Sequence, residues 1–284
     1  MRHTILKRIA GAAAALVVLC GVSAAAVPPV RHAVQGWWNN PDQLAALPEC
    51  PQVHYEPGAV EQARSVAAIL PEAIARIEAM QGRRFAHPVT IGVYLSPEAF
   101  AAANGVGVRW VVGTTFLDRV SLSPVLFGPQ RRRLPAILTH ELSHAHLQSW
   151  LPQLDVIHLP NWFKEGLAVM VSGGGGAEGV SVAQARDAIR RGDHIAVESA
   201  GSLFNLSTVK FENPPETPDS SFRIQMAYRQ AALFVTFLHD SNPDSFARML
   251  DAIFADRPFA EAVTTAYGTD LPTLWSQFVL ANVN

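Results

Sequence analysis

The feature that most constrains this chain is the pentapeptide His140-Glu141-Leu142-Ser143-His144. Residues four apart lie on one face of a helix, so His140 and His144 can present both imidazoles to one metal ion. Glu141 lies one position further round, where it can reach a water molecule on that ion without binding the ion itself. The pattern predicts a helix that carries two metal ligands and a base. A hydrolytic site of this kind needs a third protein ligand and one open position.

The third ligand has to come from elsewhere, and Glu165 is the best-placed candidate. It lies in the mostly apolar segment 162–171, which predicts a helix. A carboxylate in such a segment is costly unless it is paired or binds a metal. His146 would point away from the ligand face, and neither His158 nor Asp155 has the spacing or the surroundings expected of a ligand.

Two imidazoles, one carboxylate and an open position suit zinc best among the divalent ions. We therefore expect one Zn2+ per chain. Zinc lowers the pKa of a bound water to about 7, and a neighbouring carboxylate can then act as general base. These residues predict metal-assisted hydrolysis. The alternative is that the pentapeptide occurs by chance in an ordinary helix.

The pentapeptide, followed by Trp162-x-x-Glu165-Gly166, resembles the gluzincin zinc metallopeptidases, and specifically the bacterial peptidase MA-like group. The resemblance implies an α+β, zincin-like fold, in which a small mixed or antiparallel sheet and the zinc-site helix are joined to a helical C-terminal half. It also implies that Glu141 is the catalytic base and that the metal is bound by three residues, namely His140, His144 and Glu165.

A weaker match makes Tyr228 a second catalytic candidate. Residues 227–232 resemble the helix start at which related aminopeptidases keep a tyrosine that stabilises the oxyanion. A core tyrosine with a satisfied hydroxyl is the other interpretation. The chain has no Gly-x-Met-Glu-Asn motif, which disfavours an aminopeptidase. Val169 stands where thermolysin-like members carry an aspartate that supports a ligand histidine, so the sequence identifies no residue for that role.

The N-terminal residues 1–27 predict export. Positive residues precede an apolar run, residues 9–26, that ends in small residues, as in a secretory signal peptide. The run is also long enough for an N-terminal membrane anchor. We expect the protein in the bacterial periplasm or cell envelope, or secreted; if segment 9–26 is not cleaved, it tethers the protein to the inner membrane. Cys20 lies in this run and Cys50 is the other cysteine, so the processed chain has no intrachain disulfide.

The remainder divides into a linker and one domain. Residues 28–57 are rich in proline and predict an extended linker, with a membrane-proximal aromatic patch at Trp37 and Trp38. Residues 58–284 are assigned to a gluzincin-like metallopeptidase domain, whose helical C-terminal part starts at about residue 177.

Within that domain, three segments predict strands, namely 89–95, 106–114 and 120–123. Because a strand beside the cleft pairs with extended substrate in this clan, residues 110–115 are the candidate substrate edge. Ordinary sheet residues are the alternative. The proline-rich segment 213–219 predicts either a flap over the cleft or a plain solvent loop.

The charge of the chain bears on its partners. A formal net charge of −2 over 284 residues gives no reason to expect nucleic acid. The basic triplet 131–133 predicts a solvated loop or a contact for an anionic substrate or lipid. The sequence thus predicts an exported zinc metallopeptidase acting on peptides or proteins. Its rivals are a zinc hydrolase of a non-protein amide in the cell envelope, and a non-catalytic envelope binding protein stabilised by zinc.

Overall fold

The computed structural model describes residues 27–197 and 220–283. Its strands are β1 (Ala45–Leu47), β2 (Cys50–Tyr55), β3 (Thr90–Val93), β4 (Gly113–Phe116) and β5 (Arg119–Leu122). Its helices are α1 (Pro28–Trp38), α2 (Val60–Gln81), α3 (Pro97–Ala103), α4 (Leu134–Trp150), α5 (Gln153–His158), α6 (Asn161–Val171), α7 (Val182–Arg190), α8 (Ser220–Ser241), α9 (Pro243–Phe254), α10 (Phe259–Tyr267) and α11 (Leu271–Val283). Residues 1–26 of the predicted N-terminal signal or anchor over 1–27, and the proline-rich segment 213–219, lie outside the described residues.

The strands form one mixed sheet in the order β1-β2-β3-β5-β4. The inner pairs, β2 with β3 and β3 with β5, are parallel, whereas the two outer pairs are antiparallel. Val53, Ile91 and Val120 occupy one register across the three inner strands, and all three are fully buried. Most of the rest of the described chain is helical. The predicted α+β class, with a small sheet and a helical C-terminal half, is confirmed.

The prediction of an extended linker over residues 28–57 was wrong. This stretch forms α1, β1 and β2, and Val53 of β2 pairs with the central strand β3. The prolines that suggested a linker are compatible with regular structure, because Pro28 lies in the first turn of α1 and Pro41 begins a short 3-10 helix. First-turn prolines lose no helical hydrogen bond. The sheet therefore extends across the boundary expected at residue 58.

The strand expected over 106–114 begins only at Gly113. Here β4 and β5 form a hairpin whose two turn residues, Leu117 and Asp118, have φ values of 50° and 60°. Positive φ at both positions is what a two-residue type I′ turn requires. This turn separates the two strands predicted over 106–114 and 120–123, and β4 is the edge strand of the sheet.

Helix α4 lies in the middle of the domain, where it packs against α2, β4 and α6. A buried hydrogen bond from Gln81 Nε2 to Ser143 Oγ, 2.7 Å long, joins α2 to the polar stretch of α4. Helix α6 packs in turn along α8. This arrangement brings one face of α4 against α6 and α8. In the described part of the chain, no helix is both long and apolar enough to cross a membrane.

Gly166 sets the distance between α6 and α8. A Cβ atom at this position would lie 2.7 Å from the backbone carbon and oxygen of Ala231. We expect Gly166→Ala to lower the free energy of unfolding by about 1–3 kcal/mol, as overpacking does, although alanine is the better helix former by about 1 kcal/mol. Urea unfolding followed by circular dichroism measures the change. Wild-type stability of the variant would show that the two helices separate without cost.

Candidate metal centre

Two helices bring together the three predicted ligands. His140 and His144 project from α4, and Glu165 projects from α6. The Nε2 atoms of the two histidines are 3.2 Å apart. Glu165 Oε2 lies 3.3 Å from His140 Nε2 and 3.5 Å from His144 Nε2. Within the ranges 27–197 and 220–283, this is the group of His, Cys, Asp and Glu side chains that could hold a metal ion.

The spacing of these three atoms fits a tetrahedral zinc site. Zinc bonds of about 2.0–2.1 Å to nitrogen and oxygen place tetrahedral ligand atoms about 3.3–3.4 Å apart, close to the three distances here. Glu165 Oε2 is buried and receives no hydrogen bond from the part of the chain that the structure describes. An electron-rich oxygen that faces two imidazole nitrogens without a donor is stabilised by a cation. The donor set and its geometry therefore fit the metal that the sequence predicts.

A backbone carbonyl orients His140. Its Nδ1 lies 2.9 Å from the carbonyl oxygen of Gly175. Because a carbonyl can only accept, Nδ1 carries the proton and Nε2 presents its lone pair to the other ligands. A Cβ at residue 175 would lie 2.5 Å from the Ala136 oxygen, and one at Gly176 would lie 3.1 Å from His140. Only glycines let this backbone approach the ligand so closely.

The carbonyl of Gly175 takes the supporting role for which the sequence offered no side chain. The run of four glycines, 173–176, supplies this carbonyl just after the end of α6. The length of this run is the sequence signal for that supporting role, since consecutive glycines carry a large entropic cost and often mark a close backbone approach.

The carboxylate of Glu141 is buried and held by β4. The Thr115 hydroxyl lies 2.9 Å from Glu141 Oε2 and 2.8 Å from the Glu141 carbonyl oxygen. A Cβ at Gly113 would lie 2.8 Å from Glu141 Cγ, so the strand packs directly on this side chain. Burial raises the pKa of Glu141, while the two histidines and the Thr115 hydrogen bond oppose that rise. Sequence reasoning placed Thr115 in the substrate edge but missed its contact with Glu141.

Glu165 is ionised. Burial by itself would raise its pKa, but the imidazoles of His144 and His140 outweigh that effect and hold the pKa of Glu165 well below its ordinary value. A carboxylate that keeps its charge in a buried position is the form that binds a metal ion.

Tyr228 of α8 completes this side of the site. Its ring stacks on the imidazole of His140, with centroids 6.1 Å apart and planes 16° from parallel. Burial, then the negative charges of Glu165 and Glu141, raise the pKa of Tyr228 well above its ordinary value of 10. The hydroxyl thus stays protonated and can donate a hydrogen bond. The structure places this predicted residue beside the ligand cluster.

The site opens into a cleft of about 480 Å³. Residues 110–113 form one wall, and Tyr228 lies among the lining residues with His140 and Glu141. Further lining is apolar, from Ile137 and Ile224, among others. The cleft therefore runs along the segment that leads into the edge strand β4.

The other polar residues considered from the sequence lie away from the cluster. His146 is buried, with Nε2 2.8 Å from the Arg83 carbonyl oxygen. Asp155 and His158 line a separate cavity of about 260 Å³. In the basic triplet 131–133, the first two arginines are exposed, and the third lines the cleft and pairs with a glutamate.

A small mixed sheet, a helix with the His-Glu-x-x-His motif and a distant glutamate on a second helix define a zincin-like fold. A family model described as the Peptidase MA superfamily matches residues 69–281, and the chain belongs to that superfamily. Comparison with curated proteins gave no match. The family indicates a metallopeptidase.

Proposed function

We propose that this protein is an exported, zinc-dependent peptidase of the gluzincin type. The observation that carries the proposal is the triangle of His140, His144 and Glu165 atoms, 3.2–3.5 Å on each side, with the buried carboxylate of Glu141 beside it in an open cleft. These three residues would hold the metal. The chemistry that a zinc ion supplies in such a site is Lewis-acid activation of a water molecule and of the substrate carbonyl.

The proton movements fall to Glu141. Its carboxylate removes a proton from the attacking water, and the protonated side chain then gives that proton to the leaving amine, so the residue serves as base and then as acid. Its position next to the ligand cluster and its contact with Thr115 support this role. Burial, which raises the pKa of Glu141, brings its affinity for protons closer to that of a group operating near neutral pH.

The oxyanion that forms at the attacked carbonyl needs a donor. Tyr228 lines the cleft beside His140, and its raised pKa keeps the hydroxyl protonated. A donor that is already in place stabilises charge as it develops. Tyr228 therefore stabilises the oxyanion in the proposed mechanism.

The substrate is an extended peptide. Strand β4 is the edge of the sheet and lies directly on Glu141 through Gly113 and Thr115. An extended chain can pair with such an edge through main-chain hydrogen bonds, while side-chain pockets give selectivity. The apolar lining residues Val111, Val112, Ile137 and Ile224 favour apolar substrate side chains.

Export remains a proposal that rests on the sequence of residues 1–27. A charged start followed by an apolar run and small residues is typical of secretory signals. The same residues also support the alternative of a retained anchor in the inner membrane.

The proposed activity is tested by incubating the zinc-loaded protein with a library of extended peptides and identifying products by mass spectrometry. Cleavage with a preference for apolar side chains is expected. An intact library together with cleavage of a cell-wall amide would favour the hydrolase of a non-protein amide. Bound zinc without any hydrolysis would favour the non-catalytic envelope protein.

Replacing Thr115 with valine should slow peptide cleavage about 10-fold or more and leave zinc content unchanged. The variant loses a hydrogen bond to a carboxylate, which is worth about 1.5–3 kcal/mol, and each 1.4 kcal/mol corresponds to tenfold in rate. Initial cleavage rates measure the effect. Thr114→Val is the matched control on the same strand, because the buried Thr114 hydroxyl has no hydrogen-bond partner among the described residues. Equal rates for the two variants would contradict the positioning role of Thr115.

Tyr228→Phe should lower kcat about 10²-fold, the loss typical of one oxyanion donor, with zinc content and fold retained. Phenylalanine keeps the ring that stacks on His140 and removes only the hydroxyl. The split between kcat and KM from steady-state kinetics is the measurement. A variant with wild-type kcat would assign Tyr228 to packing alone.

A further inference from the structure

We propose that helix α1 and the neighbouring tip of loop 104–110 form a docking surface for a lipid bilayer, with the mouth of the metal cleft next to it. This docking surface comprises the exposed side chains of Val30, Val34, Trp37, Trp38 and Val106. Docking at a bilayer requires no hydrolysis, so this surface is independent of the proposed peptidase activity.

The apolar residues of α1 share one side of the helix. At 100° per residue, positions 27, 30, 34, 37 and 38 fall within an arc of about 100°. Trp37 and Trp38 are 59% and 71% exposed, and their rings meet edge to face with centroids 6.2 Å apart. Two adjacent indoles at such exposure are unusual on a soluble surface, where large apolar groups mark interaction sites.

The opposite side of α1 is attached to the domain and fixes the direction of this face. Gly36 is buried, and a Cβ there would lie 2.6 Å from the Cα of Gly105. A Cβ at Gly107 would lie 2.0 Å from the His32 ring. These two close contacts leave no space for α1 to rotate its apolar residues inward. Val106 lies between the two contacting glycines and is 50% exposed, so it extends the surface beyond the helix.

The chemistry of the surface favours a bilayer as the occupant. Tryptophan is enriched where a protein meets the headgroup region, because its ring is apolar and its N–H is polar. Residues 27–38 contain no acidic side chain, and exposed Arg31 borders the apolar arc, as suits an interfacial helix on anionic lipid. Shortly before α1, residues 9–26 form a run that carries no charged side chain and is apolar except for Ser23. Where that run is retained in a membrane, the chain leaves the bilayer next to this helix.

Docking through α1 places the cleft at the membrane surface. Trp110 follows Gly107 by three residues, a span of at most about 11 Å. Its side chain is 75% exposed and lines the cleft. The identity of the substrate rests on the proposed function. The substrates would be polypeptides held at or close to the membrane, whose extended segments reach β4 from that side.

The test uses the full-length chain in vesicles of phosphatidylglycerol and phosphatidylcholine, with and without bromine on the acyl chains. Bromine quenches the fluorescence of indoles that enter the bilayer. We expect strong quenching of the wild type and loss of most of it in the double variant Trp37→Phe, Trp38→Phe, which keeps the apolar character. Trp150→Phe is the control, since that indole lies at the end of α4 and bonds to the Arg84 carbonyl oxygen; it should leave the quenching unchanged.

Quenching that is absent in the wild type, or unchanged in the double variant, would overturn the proposal. Light scattering in lipid-free solution tests for self-association. If the protein self-associates and this shields the same indoles, the face binds a second copy of the chain, and the proposal is overturned. The readout requires no hydrolysis. A protein that docks on vesicles without cleaving peptides would therefore contradict the proposed function but support the docking surface.

Discussion

Glu165→Ala should abolish zinc binding: we expect about one zinc per chain in the wild type and almost none in the variant, because a zinc hydrolase site needs three protein ligands. Only the two imidazoles of α4 would remain. Loss of a group that merely supports a ligand costs about 10–100-fold in affinity, and the loss of a ligand itself should exceed that. Removing Glu165 also takes away the carboxylate that faces both imidazoles and would balance the charge of the cation in a buried site.

Metal analysis of dialysed protein, after zinc is offered, measures this effect, and circular dichroism checks the fold. Glu72→Ala is the matched control, because Glu72 is an exposed glutamate on α2. Wild-type zinc in the Glu165 variant would reject this residue as the third ligand. A wild-type protein that takes up no zinc would remove the basis of the mechanism, and the pentapeptide would then be an ordinary stretch of helix.

Glu141→Gln should slow peptide cleavage by about 10²–10⁴-fold, the usual contribution of a general base, while zinc content stays at the wild-type level. Glutamine has the shape of glutamate and can still accept the hydrogen bond from Thr115. It cannot take up the proton of the attacking water. Zinc content should persist because the three ligand atoms belong to other residues.

Single-turnover rates with a cleaved library peptide, measured beside zinc content, test this expectation. The same substitution at exposed Glu98, which pairs with Arg109, controls for the change of charge. Full activity in the Glu141 variant would exclude this residue as the base. A cellular phenotype that is indifferent to the change would favour the non-catalytic envelope protein over an enzyme.

The helices were largely predictable because their patterns are local. The sequence predicts helices over 59–80 and from about 135 to 150, and the structure has Val60–Gln81 and Leu134–Trp150. Apolar spacing within four residues, proline at the first turn and glycine after the last are all readable from neighbouring positions. The closeness of His140 and His144 follows from the same helical repeat.

The strands were predicted less well because pairing partners are distant in sequence. β2 pairs with β3 across a helix of 22 residues, and short segments rich in proline give no periodic signal of that pairing. The start of β4 depends on its hairpin with β5 rather than on its own apolar residues. Hence residues 28–57 were wrongly predicted to be a linker, and the strand predicted over 106–114 starts before β4 does.

Local sequence is enough to predict the pair of histidines on one helix, the glutamate between them and the helix that bears Glu165, because each follows from residues within one turn or from a motif. The contact of Glu165 Oε2 with both imidazoles, and the contacts of Gly175 with His140 and of Thr115 with Glu141, are visible only in the folded structure. Those contacts join positions 21 to 35 residues apart. One of these contacts uses a backbone oxygen, which every residue has, and another uses a hydroxyl, which many residues have. The role of such common groups is therefore apparent only when packing brings them to the site.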